Sequence, residues 1–243
     1  MIELPEVTIL IISYNRPEQL QKTIDALKSY VVYPREKLRW IVADDCSTDG
    51  NVKRVATTNG CQFVSTAKNG GYGINMNNGL RAVKTDYVFQ LQDHWILQAP
   101  LDLRLGVGVL ETRQDVGLLR YNSTFDGMYG KLEYADVSAI APGYLSEGFK
   151  PGLTYFWLLT PDTFYIYTDL PNLKHKRFHA YYGGYNENTP MHDVEFGMAE
   201  HVSNCLRHHA DIAPKIALMD GWADWHWQHD QTFSYQNIKS ANG

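Results

Sequence analysis

The sequence predicts an α/β fold in which a mainly parallel sheet is flanked by helices on both faces. Three observations predict it. Strand and helix patterns alternate through the first hundred residues. The strand segments are continuous apolar runs such as "VTILIISYN", the kind buried on both faces of a parallel sheet. Asn or Asp stands at the carboxyl end of three of these strands, the edge at which open α/β sheets bind ligands.

The elements follow in order. After the first strand, Pro17 suits a first helical turn with Asn15 as its candidate cap, and Leu20, Ile24, Leu27 and Val31 recur at helical spacing. "LRWIVADD" is a second strand, and "CSTDG" is a turn opening a short helix. "CQFVST" is a third strand, "NGGYGINMNNGLRAV" a Gly-rich loop running into a helix, and "DYVFQLQD" a fourth strand. This alternation means right-handed crossovers between parallel strands. Beyond residue 100 the pattern changes to short mixed strands and loops: "DVGLLRYN", "GKLEYADVSAI" and "GLTYFWLLTP". A helix from about Met191 to Arg207 and the aromatic segment "DGWADWHWQHD" complete the chain. No linker separates the halves, so the expectation is a single domain over residues 1–243.

Composition narrows the function classes. The 243 residues are 44% hydrophobic and 20% charged with a net charge of -5, which is an ordinary globular balance and gives no basic surface for nucleic acid. The first apolar run is too short to span a bilayer and lacks the basic start of a signal peptide, so no transmembrane segment and a cytoplasmic location are expected. Cys46, Cys61 and Cys205 are odd in number and widely spaced, and read as reduced thiols.

Asn15, Asp44 with Asp45, and Asp93 converge on one crevice at the strand ends. Any one of them has a plainer role as a cap for the helix that follows. Together with the Gly-rich loop at Asn69, Gly70 and Gly71, whose glycines permit close backbone approach to a phosphate, they point to a ligand site.

The blocks "VTILIISYNRPEQLQKTIDAL", "IVADDCSTDG", "KNGGYGINMNNGLRAVKTDYVFQLQDHW" and, more weakly, "GGYNENTPMHDVEFGMAEHV" resemble the family 2 glycosyltransferases of the GT-A fold. The resemblance implies a Rossmann-like nucleotide-binding half over residues 1–98 and an acceptor-binding half of mixed elements over 99–243. It implies a UDP- or GDP-linked sugar donor, a glycan or other hydroxyl acceptor, and transfer with inversion. Ser13, Asn15, Asp44, Asp45, Asn69, Gly70, Gly71 and Gln92 would surround the nucleotide, with Asp44 or Asp45 on the nucleoside. The family's DxD-type cluster binds a divalent metal, and here the corresponding segment is "QDH". Asp93 is the natural ligand for Mn²⁺ or Mg²⁺. His94 is either a second ligand or a hydrogen-bonding residue of the crevice, and His226 or His229 is a candidate to complete the shell. Asp193 corresponds to the general base of the family's "ED" pair, with His192 replacing the preceding acid; Glu195 stands two residues on.

The chemistry is consistent with that assignment. A nucleotide-sugar releases an anionic diphosphate, whose charge a carboxylate-bound metal neutralises, and inverting transfer needs a base at the acceptor hydroxyl. Two other classes stay open. A nucleotidyltransferase shares the sheet and the acids but opens with a Gly-rich basic phosphate loop where this chain has "SYNRPEQ". A catalytically degenerate carbohydrate-binding module would explain the departure of "QDH" from the family pattern.

Overall fold

A computed structural model of the chain describes residues 2–121, 131–145, 155–163, 166–220 and 227–229. The first half contains strand β1 (Val7–Ser13), helix α1 (Pro17–Tyr30), β2 (Val31–Val32), β3 (Leu38–Asp44), α2 (Asn51–Thr58), β4 (Gln62–Ser65), α3 (Tyr72–Ala82), β5 (Tyr87–Gln92) and β6 (Trp95–Leu97). The second contains β7 (Leu101–Asp102), α4 (Leu103–Thr112), β8 (Val116–Arg120), β9 (Lys131–Asp136), α5 (Val137–Ile140) and β10 (Tyr155–Leu159). It continues with β11 (Asn172–His175), α6 (Arg177–Tyr182), α7 (Met191–His208), β12 (Lys215–Asp220) and β13 (Trp227–His229).

Among the described residues the main sheet has the order β4-β3-β1-β5-β11-β8-β12-β10-β9. The strands β4, β3, β1 and β5 are mutually parallel, β11 runs against both β5 and β8, and β8 pairs parallel with β12. Only β11 and β10 oppose the common direction, so the sheet is mainly parallel as the apolar runs predict. Two apolar layers cover it. Ile9, Ile11, Val42 and Leu91 pack with Leu20, Ile24 and Leu27 of α1 on one face. Leu10, Ile12 and Ala43 pack with Met76 of α3 and with Val194, Met198 and Val202 of α7 on the other.

Local corrections have physical reasons. Asn15 does not cap α1: it adopts a left-handed φ of 52°, and Arg16 stands at the N-cap without a side-chain bond to the helix. Val31 lies beyond the helix, in the two-residue strand that pairs with β7. Helix α4 falls where loops and strands are expected, because its two glycines and β-branched valines are poor helix formers. Asp102 compensates by accepting the N–H of Arg104 at 3.0 Å as an N-cap. Gly106 is required there, since a Cβ would lie 2.0 Å from the Tyr121 hydroxyl. No helix among the described residues is long and apolar enough to cross a membrane.

Candidate active site

Strands β1, β3 and β5 end at one edge, and side-chain alternation sends their terminal polar residues to opposite faces. Ser13, Asp44 and Asp93 continue the rows of Ile11, Val42 and Leu91, towards α1; Asp45 and Gln92 continue those of Ala43 and Ile12, towards α3. The predicted nucleotide and metal residues therefore form two adjoining groups.

On the α1 face, Asp93 is buried. Its Oδ2 accepts from the Ser13 hydroxyl at 2.8 Å, and its Oδ1 lies 3.5 Å from Arg16 Nη1 and 3.5 Å from His94 Nδ1. The Thr23 hydroxyl of α1 donates to its carbonyl at 2.7 Å, and its own N–H donates to Ile12 O at 3.0 Å. Arg16 Nη1 also lies 3.0 Å from His94 Nδ1; a guanidinium only donates, so that ring nitrogen is the acceptor. Beside this group, Asp44 accepts the N–H of Ser47 at 2.8 Å and the hydroxyl of the same residue. Asn15 receives the Thr48 N–H on its Oδ1 at 2.9 Å and donates its own N–H to Ser47 Oγ at 2.8 Å. Asn15 and Asp44 thus pin the β3–α2 turn against the end of β1.

On the α3 face, Asp45 takes the Gly-rich loop. Its two oxygens accept the N–H groups of Gly70 at 2.9 Å and Gly71 at 2.8 Å, and Oδ1 also accepts the Thr66 hydroxyl at 3.0 Å. The loop amides that the sequence suggested for a phosphate are thus engaged by Asp45. Asn69 precedes them in the same loop, exposed. Gln92 donates to the Tyr72 hydroxyl at 2.9 Å. At the second residue of α3, Gly73 leaves room for the connection into α7: a Cβ there would lie 2.1 Å from the Asn186 carbonyl, and 3.4 Å from Val194 Cγ2 of α7 itself. The first turn of α7 carries Asp193, exposed; Glu195 follows in the next turn, and its Oε1 accepts the Asp169 N–H at 2.9 Å.

Behind Tyr72 lies a polar core. Lys174 of β11 is fully buried and donates to Tyr185 Oη at 2.7 Å and Gln90 Oε1 at 3.0 Å, while Tyr167 bonds both Asp169 and Tyr185. Burial, reinforced by the charge of Glu195, pushes the Asp169 carboxyl up to about 6. Burial lowers the Lys174 ammonium to about 7, with Asp169 opposing the shift. The Tyr72 hydroxyl is raised well above the usual phenol range by burial and by Asp169.

Residues 8–124 match the family model described as glycosyl transferase family 2. Over that segment the chain resembles glycosyltransferase family 2, and its architecture is the GT-A fold. Solved structures share that architecture. The mannosyltransferase PcManGT from Pyrobaculum calidifontis, in complex with GDP-Man and Mn²⁺, superposes with a TM-score of 0.53 at 16% identity, covering 88% of this chain and 56% of the other. TarS 1-349 of S. aureus superposes with a TM-score of 0.60 at 14% identity, covering 88% and 58%. The same protein in complex with UDP-GlcNAc gives 0.59 at 14%, covering 94% and 61%. The chain spans little more than half the length of these proteins, and at such identities the likeness is one of fold. No curated protein sequence matches the chain.

The divalent metal that the resemblance implies can be tested against the donor set of this chain. Asp93 spends its oxygens on Ser13 and Arg16, Gln92 is a neutral amide turned to Tyr72, and His94 Nδ1 faces a guanidinium. Among the described residues no group of three or more His, Cys, Asp or Glu side chains is placed to hold a metal ion. Among the described residues the donor set at the QDH segment therefore does not fit a metal centre. His226 lies outside the described residues. His229 sits on β13, in register with Trp95 of β6, which brings "WQH" alongside the QDH segment; its side chain lies outside the described set.

Several residues of the site were not singled out from sequence. Arg16, between Asn15 and Pro17, is one of them. Asn75 of α3 is buried and donates to both Ser13 O and Ala43 O at 3.2 Å, tying two strand ends together. Its signal is available: Asn is a poor helix former, and "INMNN" inside a helix asks what those amides bond to. Tyr72, Asp169 and Lys174 carry no local signal, because their environment is assembled from distant segments.

Proposed function

We propose that this chain is a family 2 glycosyltransferase that transfers a sugar from a UDP- or GDP-linked donor to a hydroxyl of a glycan or other acceptor, with inversion at the anomeric carbon and Asp193 as general base. The observation that carries the reading is the close packing of α7 on α3 at Gly73. It sets the acid-bearing first turn of α7 beside the edge at which β1, β3 and β5 end. The donor's nucleotide lies along that edge, with Ser13, Asn15, Asp44, Asp45, the loop at Asn69, Gly70 and Gly71, and Gln92 around it. Asp193 takes the acceptor hydroxyl proton while that oxygen attacks the anomeric carbon from the side opposite the phosphate. The bond from the anomeric carbon to the phosphate oxygen breaks, and the nucleoside diphosphate leaves with the electron pair. Since the QDH donor set does not fit a divalent ion, no step is routed through one. A cytoplasmic location belongs to the same proposal.

Two measurements test it. UDP or GDP should raise the melting temperature, as any ligand preferring the folded state must. Asp193→Asn removes basicity with little change of shape, so it should keep nucleotide binding while transfer from labelled nucleotide-sugars falls roughly a hundredfold. No thermal shift with either diphosphate would sink the donor reading. Near-normal transfer by Asp193→Asn would exclude it as the base, and glycan binding without transfer would favour the degenerate binding module.

A further inference from the structure

We propose that Arg16 closes the QDH position to divalent ions and is itself the fixed cation facing the donor's diphosphate, so that this chain binds its nucleotide without metal. The inference rests on the nucleotide-sugar reading above and goes beyond it.

Four observations carry it. The one carboxylate of the segment, Asp93, is turned to the α1 face, with its side chain only 3% exposed, and a metal ligand needs its oxygen lone pairs directed at the ion. Arg16 Nη1 lies against both Asp93 Oδ1 and His94 Nδ1, at 3.5 and 3.0 Å, so a positive charge already stands where an ion would meet those two donors. The alternation of β5 sends Gln92 to the opposite face, where its amide donates to Tyr72, leaving it turned away from Asp93. Arg16 covers Asp93 yet keeps 20% of its own side chain exposed, and among the described residues its side-chain hydrogen bonds and ion pairs run through Nη1 alone. A guanidinium has five donors in a planar fork that matches phosphate oxygens. Its position is set from the sequence: Asn15 turns the chain with a positive φ, and Pro17 begins α1 directly after, so Arg16 is held at the junction of β1 and α1.

The proposal is tested on the whole chain. Mn²⁺ alone, titrated into the protein and followed by electron paramagnetic resonance, should find no stoichiometric site. UDP and GDP, titrated calorimetrically, should bind with the same affinity in EDTA as in Mn²⁺. Arg16→Ala should weaken that metal-free binding roughly ten- to a hundredfold, the range for a lost hydrogen bond to a charged group, and Arg16→Lys should recover part of it. Removing Arg16 also uncovers a buried carboxylate, so Arg16→Lys and the two wild-type titrations keep the test decisive if the alanine variant does not fold. A stoichiometric Mn²⁺ site, a nucleotide affinity that depends on Mn²⁺, or full affinity in folded Arg16→Ala would overturn the proposal. Failure of both diphosphates to bind under either condition would instead overturn the donor reading, while the Mn²⁺ titration would still report on closure.

Discussion

Asp93 illustrates what a single residue type does and does not reveal. That an acid ends the fourth strand was readable, because the apolar run before it fixes where the strand stops. Its partners were not, because Ser13 and Arg16 come from another strand end some eighty positions earlier, as the Ser13–Asp93 separation shows. The same holds for Asp45, read as a nucleoside ligand and found bonded to the amides of Gly70 and Gly71. Truncating Asp93 should be costly for the fold itself, since Ser13 and Arg16 would lose their shared acceptor. Asp93→Ala is expected to lower stability by about 2 kcal/mol, the scale of a lost buried charge-assisted bond. Urea unfolding measures it, and an unchanged midpoint would mean that the carboxylate serves something outside the chain.

Asp169 gives a pH dependence whose sign is fixed. Its folded pKa, about 6, lies above the ordinary carboxyl value, so the folded chain holds the extra proton between the two. The associated stability is complete below the unfolded pKa and is lost as pH rises through the folded one. Between pH 4 and pH 7 the protein should therefore lose about 2 kcal/mol relative to Asp169→Asn, which has no such proton to release. Denaturant titrations of both proteins at the two pH values measure the difference. A gap that does not change with pH would mean that Asp169 titrates normally.

Elements differed in how far they could be read. The strands β1, β3, β4 and β5 and the helices α1, α3 and α7 follow from apolar runs and helical spacing, because each buries what its pattern says it buries. Strand β11 could not be read that way. Its sequence is "NLKH", and Asn172 and Lys174 are fully buried polar residues: Lys174 donates to Gln90 and Tyr185, and Asn172 donates to the Leu170 carbonyl at 2.7 Å. Helix packing at the site depends on one absent side chain. Gly73→Ala would put a methyl 2.1 Å from the Asn186 carbonyl, a backbone atom that cannot swing aside. The connection leading into α7 should be pushed off α3 at a cost of about 1–3 kcal/mol, the usual range for overpacking. Transfer activity should fall more than nucleotide binding, since the change moves the helix bearing Asp193 while leaving the strand edge in place. Parallel losses of both would show that the site is not divided between edge and helix.

At the scale of the whole molecule, β11 has a consequence for how the chain reaches its native state. Strand β5 is complete at Gln92, but the strand that pairs with its outer edge begins only at Asn172, and β8, made in between, has to wait for that same short segment to join it. During synthesis, when early segments emerge first, the parallel half therefore exists for a time with a bare row of N–H and C=O groups along β5. A strand edge of that kind pairs readily with another chain. A fragment of residues 1–121 should self-associate, eluting from a sizing column well ahead of its monomer position, whereas the full chain should not associate through that edge. The seam closed by β11 is thus the hazard point of biogenesis, where a delay in ribosome or chaperone handling would trade folding for aggregation.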